Sequence, residues 1–480
     1  MDGLSLLEAA SDPHVAPSPA LIVDGAAISF AALADRVRRV LRHLSSLGIG
    51  PGARVALRAT CEPSTVVALH ALLELGAALV PLHPRLTEKE AALILADAAP
   101  HHILSAEDLD PPDKPGPIPH IPADPDAPLA IIYTSGTTGR PKGAVLSRGA
   151  FAASAVASEK NLSWREDDRW LVCMPLAHVG GLSILTRCLI ARRPIVLVPR
   201  FDPISVLRAI ERDHATILSA VPTMLRALFD ADREGILSRL RLVLLGGAGA
   251  PASLLEEAAA RRVLALTTYG LTEACSQVTC QKLRPAGSTE PGSGHVLPGF
   301  ELRIVNEAGQ GTATDEVGGI QIRGPNLMRG YLANPAAPFT DDGWFNTGDL
   351  GSLDAEGRLF VHARRTDLIV TGGENVYPAE VEAALEALLD VDRAVVFGIP
   401  DERWGQLVAA GLTLAEGTSG GPARALDLVL EACRNLAPHK RPRLFAAVPS
   451  LPMTASGKLD RATARREITP LLRPVPARPA

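Results

Sequence analysis

The sequence predicts an α/β fold with a large N-terminal domain of α/β subdomains plus a small β-rich subdomain, and a smaller α+β C-terminal domain. Helical apolar spacing alternates with short apolar strands from residue 27 to residue 268, which is typical of a parallel-rich sheet. Beyond residue 295, short strand-like segments are separated by turn residues. A new alternation of helix and strand begins near residue 366. We therefore expect one domain at 1–365 and a second, of ordinary small-domain size, at 366–480.

The predicted elements of the N-terminal region, taken in order, support the α/β class. Ser29 can cap the first predicted helix, which covers 27–48. Apolar residues recur along this helix at helical spacing: Leu33, Val37, Val40, Leu41 and Leu44. The elements that follow are strand 54–57, helix 64–75, strand 77–81, helix 147–160, strand 169–174, helix 180–191, strand 195–198, helix 203–212, and strands 215–219, 242–245 and 265–268.

The remaining segments predict the other subdomains. Strands are expected at 301–305, 319–323 and 358–362, and the C-terminal domain should contain helix 378–389, strand 391–398 and helix 426–435. Residues 110–128 contain eight prolines, which indicates an irregular surface connection.

Composition excludes several classes of protein. The formal net charge of −5 argues against a nucleic-acid-binding protein. The six cysteines form no Cys-x-x-Cys pair, so we expect reduced thiols in a cytoplasmic protein and neither a disulfide framework nor a zinc site. The first residues lack the basic region of a signal peptide, and no uncharged apolar run reaches the roughly 18 residues of a transmembrane helix. We expect no nucleic-acid partner and no stable membrane insertion, and a homo-oligomer stays open.

The most informative segment is a loop at 134–143 that follows an apolar run. Glycines let a backbone approach an anion and present its N–H groups, hydroxyls add neutral donors, and Lys142 adds a mobile positive charge. The predicted phosphate-binding residues are Thr134, Ser135, Gly136, Thr137, Thr138, Gly139 and Lys142. Their spacing does not match the Walker pattern, in which the lysine precedes serine or threonine. The sequence therefore predicts a polyphosphate loop of another type, with an exposed turn as the alternative.

Two segments that follow predicted strands have the residue types of a nucleotide site. They comprise Gly246, Gly247 and Ala248 after one strand, and Tyr269, Gly270, Thr272 and Glu273 after the next. Ligands of open α/β sheets bind at such strand ends. A tyrosine ring can stack on a base, and a carboxylate beside a hydroxyl suits Mg²⁺, a hard cation that is shared with substrate phosphates. A tight turn and a surface carboxylate are the ordinary alternatives.

Each of the charged residues further along the chain also has a functional and an ordinary structural interpretation. Asp349 follows a glycine in a predicted turn, where its carboxylate can accept two hydrogen bonds from a ribose diol or form an Asx-turn. Arg364 leads into the proposed domain boundary, which also contains Gly372 and Gly373, and a plain linker is the alternative there. Lys458 follows Ser-Gly near the C-terminal end, on a predicted flexible loop, with an ordinary exposed lysine as the alternative.

Together these motifs resemble the adenylate-forming superfamily, which contains acyl- and aryl-CoA synthetases, adenylation domains and firefly-type luciferases. They occur in the order of that superfamily from Tyr133 to Arg461, across nearly the whole chain. The resemblance implies that a small-molecule carboxylic acid attacks the α-phosphate of ATP to give an acyl-AMP and pyrophosphate, and that a thiol then attacks the acyl-AMP. It implies ATP and Mg²⁺ as cofactors, coenzyme A as co-substrate, and a mobile C-terminal domain.

The resemblance also implies a role for each motif. The loop residues Thr134, Ser135, Gly136, Thr137, Thr138, Gly139 and Lys142 would hold the β- and γ-phosphates, and Gly246, Gly247, Ala248 and Tyr269 the adenine, with Gly270 next to them as a further cofactor-binding residue. Thr272 and Glu273 would meet the α-phosphate, with Glu273 as the metal ligand, and Asp349 and Arg364 would bind the ribose. Lys458 would bridge the substrate carboxylate and the α-phosphate, and Gly372 and Gly373 would face the pantetheine tunnel.

The hinge between the domains departs from the superfamily pattern. That position is usually Asp or Lys, and the matching residue here is Thr366. Threonine cannot make the same charged contacts, so Asp367 is a candidate to share the role.

Within the superfamily, segments 174–183, 223–225, 244–251 and 269–277 are similar to the o-succinylbenzoate–CoA ligases of menaquinone synthesis. This implies an acyl-substrate site with His178, Gly181, Arg187, Ser276 and Gln277. Ala177 stands where those ligases usually have an aromatic residue, so the acyl pocket can differ. If Arg187 is buried on its apolar helix it needs an anion, which is either a second substrate carboxylate or a structural Asp or Glu.

We therefore expect an ATP-dependent acid–CoA ligase, with o-succinylbenzoate as the acid. The alternatives are another aryl- or medium-chain acyl-CoA synthetase, an adenylation enzyme that loads a carrier protein, and a nucleotide-binding protein without catalysis.

Overall fold

The computed structural model describes residues 3–113, 116–119, 121–134, 141–333, 339–364, 367–371, 374–401, 404–436, 438–454 and 459–476. It divides into two compact units. The first contains Met1–Gly247, Ala258–Leu302 and Ile322–Asn346, and the second contains Ala248–Glu257, Arg303–Gln321 and Thr347–Ala480. The boundary between residues 365 and 366 stays a prediction.

The helices in the described part are α1 (Leu6–Ala9), α2 (Phe30–Ser46), α3 (Pro63–Glu74), α4 (Glu88–Ala98), α5 (Ala106–Leu109), α6 (Arg148–Leu162), α7 (Val179–Ala191), α8 (Pro203–Asp213), α9 (Pro222–Ala231), α10 (Ala252–Ala260), α11 (Pro378–Glu386), α12 (Gly421–Ala432) and α13 (Arg461–Ile468).

The strands of the first half are β1 (Pro19–Val23), β2 (Ala26–Ser29), β3 (Arg54–Arg58), β4 (Ala78–Leu82), β5 (His102–Ile103), β6 (Pro128–Thr134), β7 (Lys142–Ser147), β8 (Trp170–Val172), β9 (Ile195–Leu197), β10 (Ile217–Ala220), β11 (Leu242–Leu245) and β12 (Ala265–Leu271). Those of the second half are β13 (Ser276–Cys280), β14 (His295–Val296), β15 (Glu301–Val305), β16 (Gly318–Arg323), β17 (Phe345–Leu353), β18 (Leu359–Arg364), β19 (Ile369–Thr371), β20 (Glu374–Val376), β21 (Val391–Asp401), β22 (Gly405–Leu414), β23 (Leu444–Ala447) and β24 (Arg473–Pro474).

Two sheets organise the first unit. One has nine strands in the order β14-β13-β12-β11-β10-β8-β9-β1-β2, and the other has five in the order β5-β3-β4-β6-β7. The pairs β8–β10, β10–β11 and β11–β12 are parallel, and β8, β9 and β11 are fully buried. Short apolar strands of this kind suit a sheet that is covered on both faces. This mixed α/β architecture confirms the predicted fold class.

Helix α2 shows how the sequence defines an element and where the prediction of its start was wrong. The Ser29 side chain accepts a hydrogen bond from the Ala32 N–H, as an N-cap does, and the apolar side of the helix is buried. The helix begins at Phe30 and not at residue 27, because Ala26–Ser29 pairs with β1 as an antiparallel strand. Strand pairing therefore takes the backbone groups that the first helical turn would have used.

The second unit contains most of the four-stranded sheet β15-β16-β17-β18 and a separate sheet β21-β22-β23-β24. Strands β21 and β22 form a long antiparallel hairpin, and β23 pairs parallel to β22. Helices α11 and α12 pack against this sheet through a core of buried aliphatic residues that includes Val381, Val396, Leu412 and Val429. The predicted helix 378–389 ends early, at Glu386, since the chain must turn before β21 begins at Val391.

Two other local predictions needed correction. The second C-terminal helix begins at Gly421 with proline at its first turn, and it ends at Ala432, where the chain tightens into a 3₁₀ turn, so it does not cover 426–435. Asp349 lies inside strand β17 and not in a turn, because β17 pairs with β18 along most of its length. Among the described residues no helix combines the length and the apolar composition needed to cross a bilayer.

Candidate active site

The predicted phosphate loop connects the antiparallel strands β6 and β7 of the first unit. Strand β6 ends at Thr134 and β7 begins at Lys142, and these two residues are register partners. A Cβ on Gly143 would lie 2.9 Å from Ile131 Cγ2 and 2.9 Å from Tyr133 Cζ, so the base of the hairpin needs a glycine. Of the predicted loop residues, Ser135, Gly136, Thr137, Thr138 and Gly139 lie outside the described residues. The hairpin brings Thr134 and Lys142 together at its base.

The predicted adenine residues of the first unit lie at the carboxyl ends of two neighbouring parallel strands. Leu245 of β11 is the register partner of Thr267 of β12, so Gly246 follows one strand end beside the other. A Cβ on Gly246 would lie 2.9 Å from Thr268 Cγ2. Gly247 has a φ of +80°, a left-handed conformation that favours glycine. The backbone at Gly246 therefore lies close to the carboxyl end of β12. Ligands of open α/β sheets bind at such strand ends. Ala248 is grouped with the second unit.

Strand β12 continues through Tyr269 and Gly270 and reverses at the Glu273 turn. Thr272–Ala274 forms a 3₁₀ turn, and β13 then pairs back with Gly270 opposite Gln277. A Cβ on Gly270 would lie only 2.0 Å from the Ser276 carbonyl oxygen, so no other residue fits there without moving the backbone. Ser276 itself has a φ of +94°, a strained conformation for a non-glycine residue. The turn thus fixes Glu273 and the predicted substrate residues Ser276 and Gln277 in one tight unit.

Tyr331, which the sequence analysis missed, connects two predicted site residues. Its hydroxyl donates to Glu273 Oε1 at 2.8 Å. Lys142 Nζ lies 5.4 Å from the centroid of its ring, within the range of a cation–π contact. Tyr331 is one of only four tyrosines in the chain and follows a glycine, which was the one available signal.

The start of α7 is shaped by carbonyl oxygens of the preceding turn. His178 is the N-cap residue of α7, and its N–H donates to the Pro175 carbonyl at 3.2 Å. A Cβ on Gly181 would lie 2.5 Å from the same Pro175 oxygen and 2.9 Å from the Met174 oxygen. A Cβ on Gly180 would meet only the flexible Met174 side chain, with Cε at 3.0 Å and Sδ at 3.9 Å. Gly181 is therefore required by the turn, and Gly180 is not.

These contacts predict opposite outcomes for two adjacent substitutions. Gly181→Ala should destabilise the protein by about 1–3 kcal/mol, because the added methyl group displaces backbone oxygens. Gly180→Ala should change stability by less than about 1 kcal/mol, because the Met174 side chain can move and alanine favours a helix. Urea unfolding of both variants checks this, and the KM for the acid should rise only for Gly181→Ala. Equal destabilisation would show that the turn is more tolerant than its geometry indicates.

His178 also contacts a second histidine that the sequence analysis did not single out. The rings of His83 and His178 have centroids 5.3 Å apart and are tilted by 39°. His83 Nδ1 accepts a hydrogen bond from the Arg85 N–H at 3.1 Å. Burial, with a smaller contribution from the Arg85 charge, lowers the pKa of His83 and so favours the neutral form of this ring.

Arg187 is a buried cation with a neutral environment. Its residue is only 3% exposed, its Nη2 lies 3.5 Å from Ser154 Oγ, and its guanidinium carbon lies 5.5 Å from the centroid of the Trp170 ring. Burial lowers the pKa of Arg187 to about 10, which still leaves it charged at neutral pH. Among the described residues, no carboxylate forms an ion pair with Arg187 and no acceptor reaches its Nε. A structural Asp or Glu is therefore not its partner in the described part of the chain.

The Arg187 guanidinium is connected to the Glu273 turn. Ser154 Oγ donates to the Cys275 carbonyl at 2.8 Å, so one hydroxyl links α7 to the residue before Ser276. Gln277 is also buried: its Nε2 donates to Thr268 Oγ1 at 3.1 Å, and its Oε1 has no hydrogen-bond partner among the described residues. The structure thus places three predicted substrate residues, Arg187, Ser276 and Gln277, on adjoining elements.

The predicted ribose pair lies in the second unit. Asp349 of β17 and Arg364 of β18 are register partners on adjacent antiparallel strands. Directly opposed residues of such strands have their Cβ atoms about 4.5–5.5 Å apart. The Asp349 N–H donates to Thr347 Oγ1 at 3.1 Å. The Arg364 side chain lies outside the described residues.

The second unit also contains an ion-pair cluster near the predicted hinge. Arg461 binds Glu382 through both of its terminal nitrogens, donates to the Val396 carbonyl at 3.0 Å, and has its Nε 3.6 Å from Asp367. Asp367 is thus tied to the first residue of α13. The predicted residues Thr366, Gly372, Gly373 and Lys458 lie outside the described residues.

Comparison with known proteins places this site in a family. Residues 11–332 match the model of the AMP-binding enzymes, and residues 380–458 match that of the AMP-binding enzyme C-terminal domain. The chain is 39% identical over 467 residues to a 2-succinylbenzoate–CoA ligase of Bacillus velezensis, covering 92% of this chain and 93% of that protein. It is 35% identical over 457 residues to the enzyme of the same name from Listeria monocytogenes, covering 92% and 95%.

Solved structures agree with the sequence relatives. The o-succinylbenzoate CoA synthetase of Bacillus subtilis, in complex with the acyl-adenylate intermediate OSB-AMP, has a TM-score of 0.85 at 34% identity and covers 95% of this chain and 96% of that chain. ATP-bound MatB of Rhodopseudomonas palustris has a TM-score of 0.87 at 29% identity and covers 96% and 97%. The match of one family model to two thirds of the chain, together with these relatives, shows that the protein belongs to the AMP-binding enzymes of the adenylate-forming superfamily.

Proposed function

We propose that this protein is an ATP-dependent 2-succinylbenzoate–CoA ligase of menaquinone biosynthesis. The relatives of that name align with more than nine tenths of the chain. The observation in the structure that carries the proposal is Arg187, a buried cation without a carboxylate partner among the described residues. A dicarboxylic aryl acid supplies the missing anion with one carboxylate and reacts through the other.

The reaction has two steps that share one site. In the first, an oxygen of the acid's carboxylate bonds to the α-phosphorus of ATP, and the bond to pyrophosphate breaks. In the second, the thiol sulfur of coenzyme A bonds to the acyl carbon, its proton passes to solvent, and AMP leaves with the oxygen from the acid. Solved relatives support these co-substrates, since Bacillus subtilis o-succinylbenzoate CoA synthetase binds ATP and magnesium ion in one structure and the product analogue OSB-NCoA in another.

Different residues of this chain bind different parts of the substrates in the first step. Thr134, Lys142 and the loop between them hold the β- and γ-phosphates, and the strand ends at Gly246 and Tyr269 form the adenine site. Asp349 and Arg364 bind the ribose. Lys458 bridges the two anions that must meet, because attack of a carboxylate on a phosphate needs charge neutralised where it develops. We propose 1–365 and 366–480 as the domains that bring these groups together.

The described residues fit a Mg²⁺ ion that is shared with the nucleotide. Glu273 Oε1 accepts from Tyr331, and no hydrogen bond from the described residues reaches Glu273 Oε2. In that part of the chain no group of three His, Cys, Asp or Glu side chains is arranged to hold a metal alone. Mg²⁺ is usually held by one or two carboxylates together with substrate phosphates. Here Glu273 can provide the carboxylate oxygen and Thr272 a hydroxyl oxygen, and ATP the phosphates. When bound, it would neutralise phosphate charge as a Lewis acid.

A cytoplasmic location is part of the proposal. The six cysteines are free thiols, and five of them are buried. This fits a reducing compartment.

A screen of pyrophosphate release over candidate acids tests the proposed function. With ATP and Mg²⁺, 2-succinylbenzoate should give the highest kcat/KM among aryl dicarboxylates, benzoates and medium-chain fatty acids. A preference for a benzoate or a fatty acid would favour another acyl-CoA synthetase. Acyl transfer to a carrier protein in place of coenzyme A would favour a carrier-loading enzyme.

A further inference from the structure

One aromatic residue contacts both of the charged groups that would hold Mg²⁺·ATP. The Tyr331 hydroxyl donates to Glu273 Oε1 at 2.8 Å, and Lys142 Nζ lies 5.4 Å from the centroid of the same ring. No ion pair joins Lys142 to Glu273, although one carries a positive and the other a negative charge. Tyr331 therefore contacts both groups.

The backbone around Tyr331 fixes the ring in this position. The Val145 N–H donates to the Gly330 carbonyl at 3.0 Å, the Arg329 N–H to the Val145 carbonyl at 2.9 Å, and the Leu332 N–H to the Gly143 carbonyl at 2.8 Å. Ala144 and Tyr331 form an antiparallel bridge. The segment 329–332 thus pairs with β7, the strand that Lys142 begins, so the ring and the lysine are held by one ladder.

The same stretch of chain also holds the Glu273 turn. The Met328 N–H donates to the Glu273 carbonyl at 2.7 Å, and Asn326 Nδ2 donates to the Ala274 carbonyl at 2.8 Å. Residues 326–331 are therefore bonded to the turn by their backbone and side chains at several points. Two of these bonds hold the backbone of the turn, and the Tyr331 hydroxyl holds the Glu273 carboxylate itself.

We propose that Tyr331 is a positioning residue for the metal and phosphate site: its hydroxyl orients the Glu273 carboxylate toward Mg²⁺, and its ring holds Lys142 for the phosphates and prevents Lys142 and Glu273 from pairing. The hydroxyl occupies one carboxylate oxygen and leaves the other for the metal. Hydrogen-bond partners of this kind orient ligating carboxylates, and their loss typically weakens metal binding about 10- to 100-fold. The inference rests on the proposed use of ATP and Mg²⁺.

Two substitutions separate the two parts of this role. Tyr331→Phe removes the hydroxyl and keeps the ring, and Tyr331→Leu removes both. ATP binding by the full chain is measured by calorimetry with excess MgCl₂ and with EDTA, and Mn²⁺ binding in the presence of ATP by electron paramagnetic resonance. Tyr133→Phe is the matched control, because Tyr133 also donates its hydroxyl to a carboxylate, Asp97 Oδ2 at 2.6 Å.

The expected results differ between the variants. Tyr331→Phe should weaken Mn²⁺ binding and the metal-dependent part of ATP binding about 10-fold, and leave ATP binding in EDTA unchanged. Tyr331→Leu should weaken ATP binding in EDTA as well, since Lys142 is then free to pair with Glu273. Tyr133→Phe should change neither metal-dependent quantity.

Unchanged or tighter Mn²⁺ binding by Tyr331→Phe would overturn the proposal, and so would an equal loss in Tyr133→Phe. Tyr331→Phe is isosteric apart from one oxygen, so it keeps the test decisive if Tyr331→Leu does not fold. If the unsubstituted protein itself bound ATP without any effect of Mg²⁺, the proposed function would fail, and the role of Tyr331 would fail with it.

Discussion

Lys458→Ala should abolish measurable adenylation and leave the thiol step nearly intact. Lys458 is expected to neutralise charge between the acid carboxylate and the α-phosphate, and losing such a group costs about 3–4 kcal/mol in the barrier, or roughly 10²–10³ in rate, at the least. Pyrophosphate release measures the first step. Thioester formation from synthetic acyl-adenylate and coenzyme A measures the second, in which that charge is no longer developing.

A second lysine of the C-terminal region provides the control. Lys440 Nζ contacts Glu380 at 2.6 Å at the surface, and exposed pairs of this kind contribute little. Lys440→Ala should therefore keep both steps. If Lys458→Ala slowed both steps equally, the lysine would have a general binding role and the assignment to adenylation would be wrong.

Arg187→Met should lower kcat/KM for 2-succinylbenzoate about 100-fold, or by ~3 kcal/mol, mainly through KM. The substitution removes the charge that would bind the second carboxylate and keeps the length of the side chain. Methionine should be tolerated in the fold, because replacing a desolvated charge by an apolar group of similar volume is often neutral for stability. Steady-state kinetics with the dicarboxylate measure the loss.

Two substrate analogues make this prediction specific. Each has one of the two carboxylates replaced by hydrogen. The analogue that keeps only the reacting carboxylate should be a poor substrate for the unsubstituted protein, and Arg187→Met should change its kcat/KM little. An equal loss for the dicarboxylate and for this analogue would show that Arg187 supports the fold of the acyl site without binding the acid.

The sequence predicted the parts of this site that depend on local pattern. The phosphate loop was predicted from its density of glycines, hydroxyls and cations, and the structure shows Thr134 and Lys142 as register partners on the strands that flank it. The end of β11 at Gly246 was found because glycines follow an apolar run. In each case the information lies within about ten residues of chain.

Contacts between distant segments could not be predicted in this way. Tyr331 reaches Glu273 across 58 residues of sequence, and no periodicity links them. The partner of Arg187 stayed open for the same reason, because an Asp or Glu from any element could have reached it. Asp349 was assigned to a turn on the basis of its neighbouring glycine, whereas pairing with β18 makes the segment a strand.

The fate of the acid's oxygen tests the central claim most directly. With 2-succinylbenzoate labelled with ¹⁸O in both carboxylates, ATP, Mg²⁺ and coenzyme A, mass spectrometry should find 2-succinylbenzoyl-CoA together with AMP that contains one ¹⁸O atom for each thioester formed. That result requires attack of the carboxylate on the α-phosphorus and departure of AMP with the transferred oxygen. Unlabelled AMP, or ADP as the nucleotide product, would contradict an acyl-adenylate route.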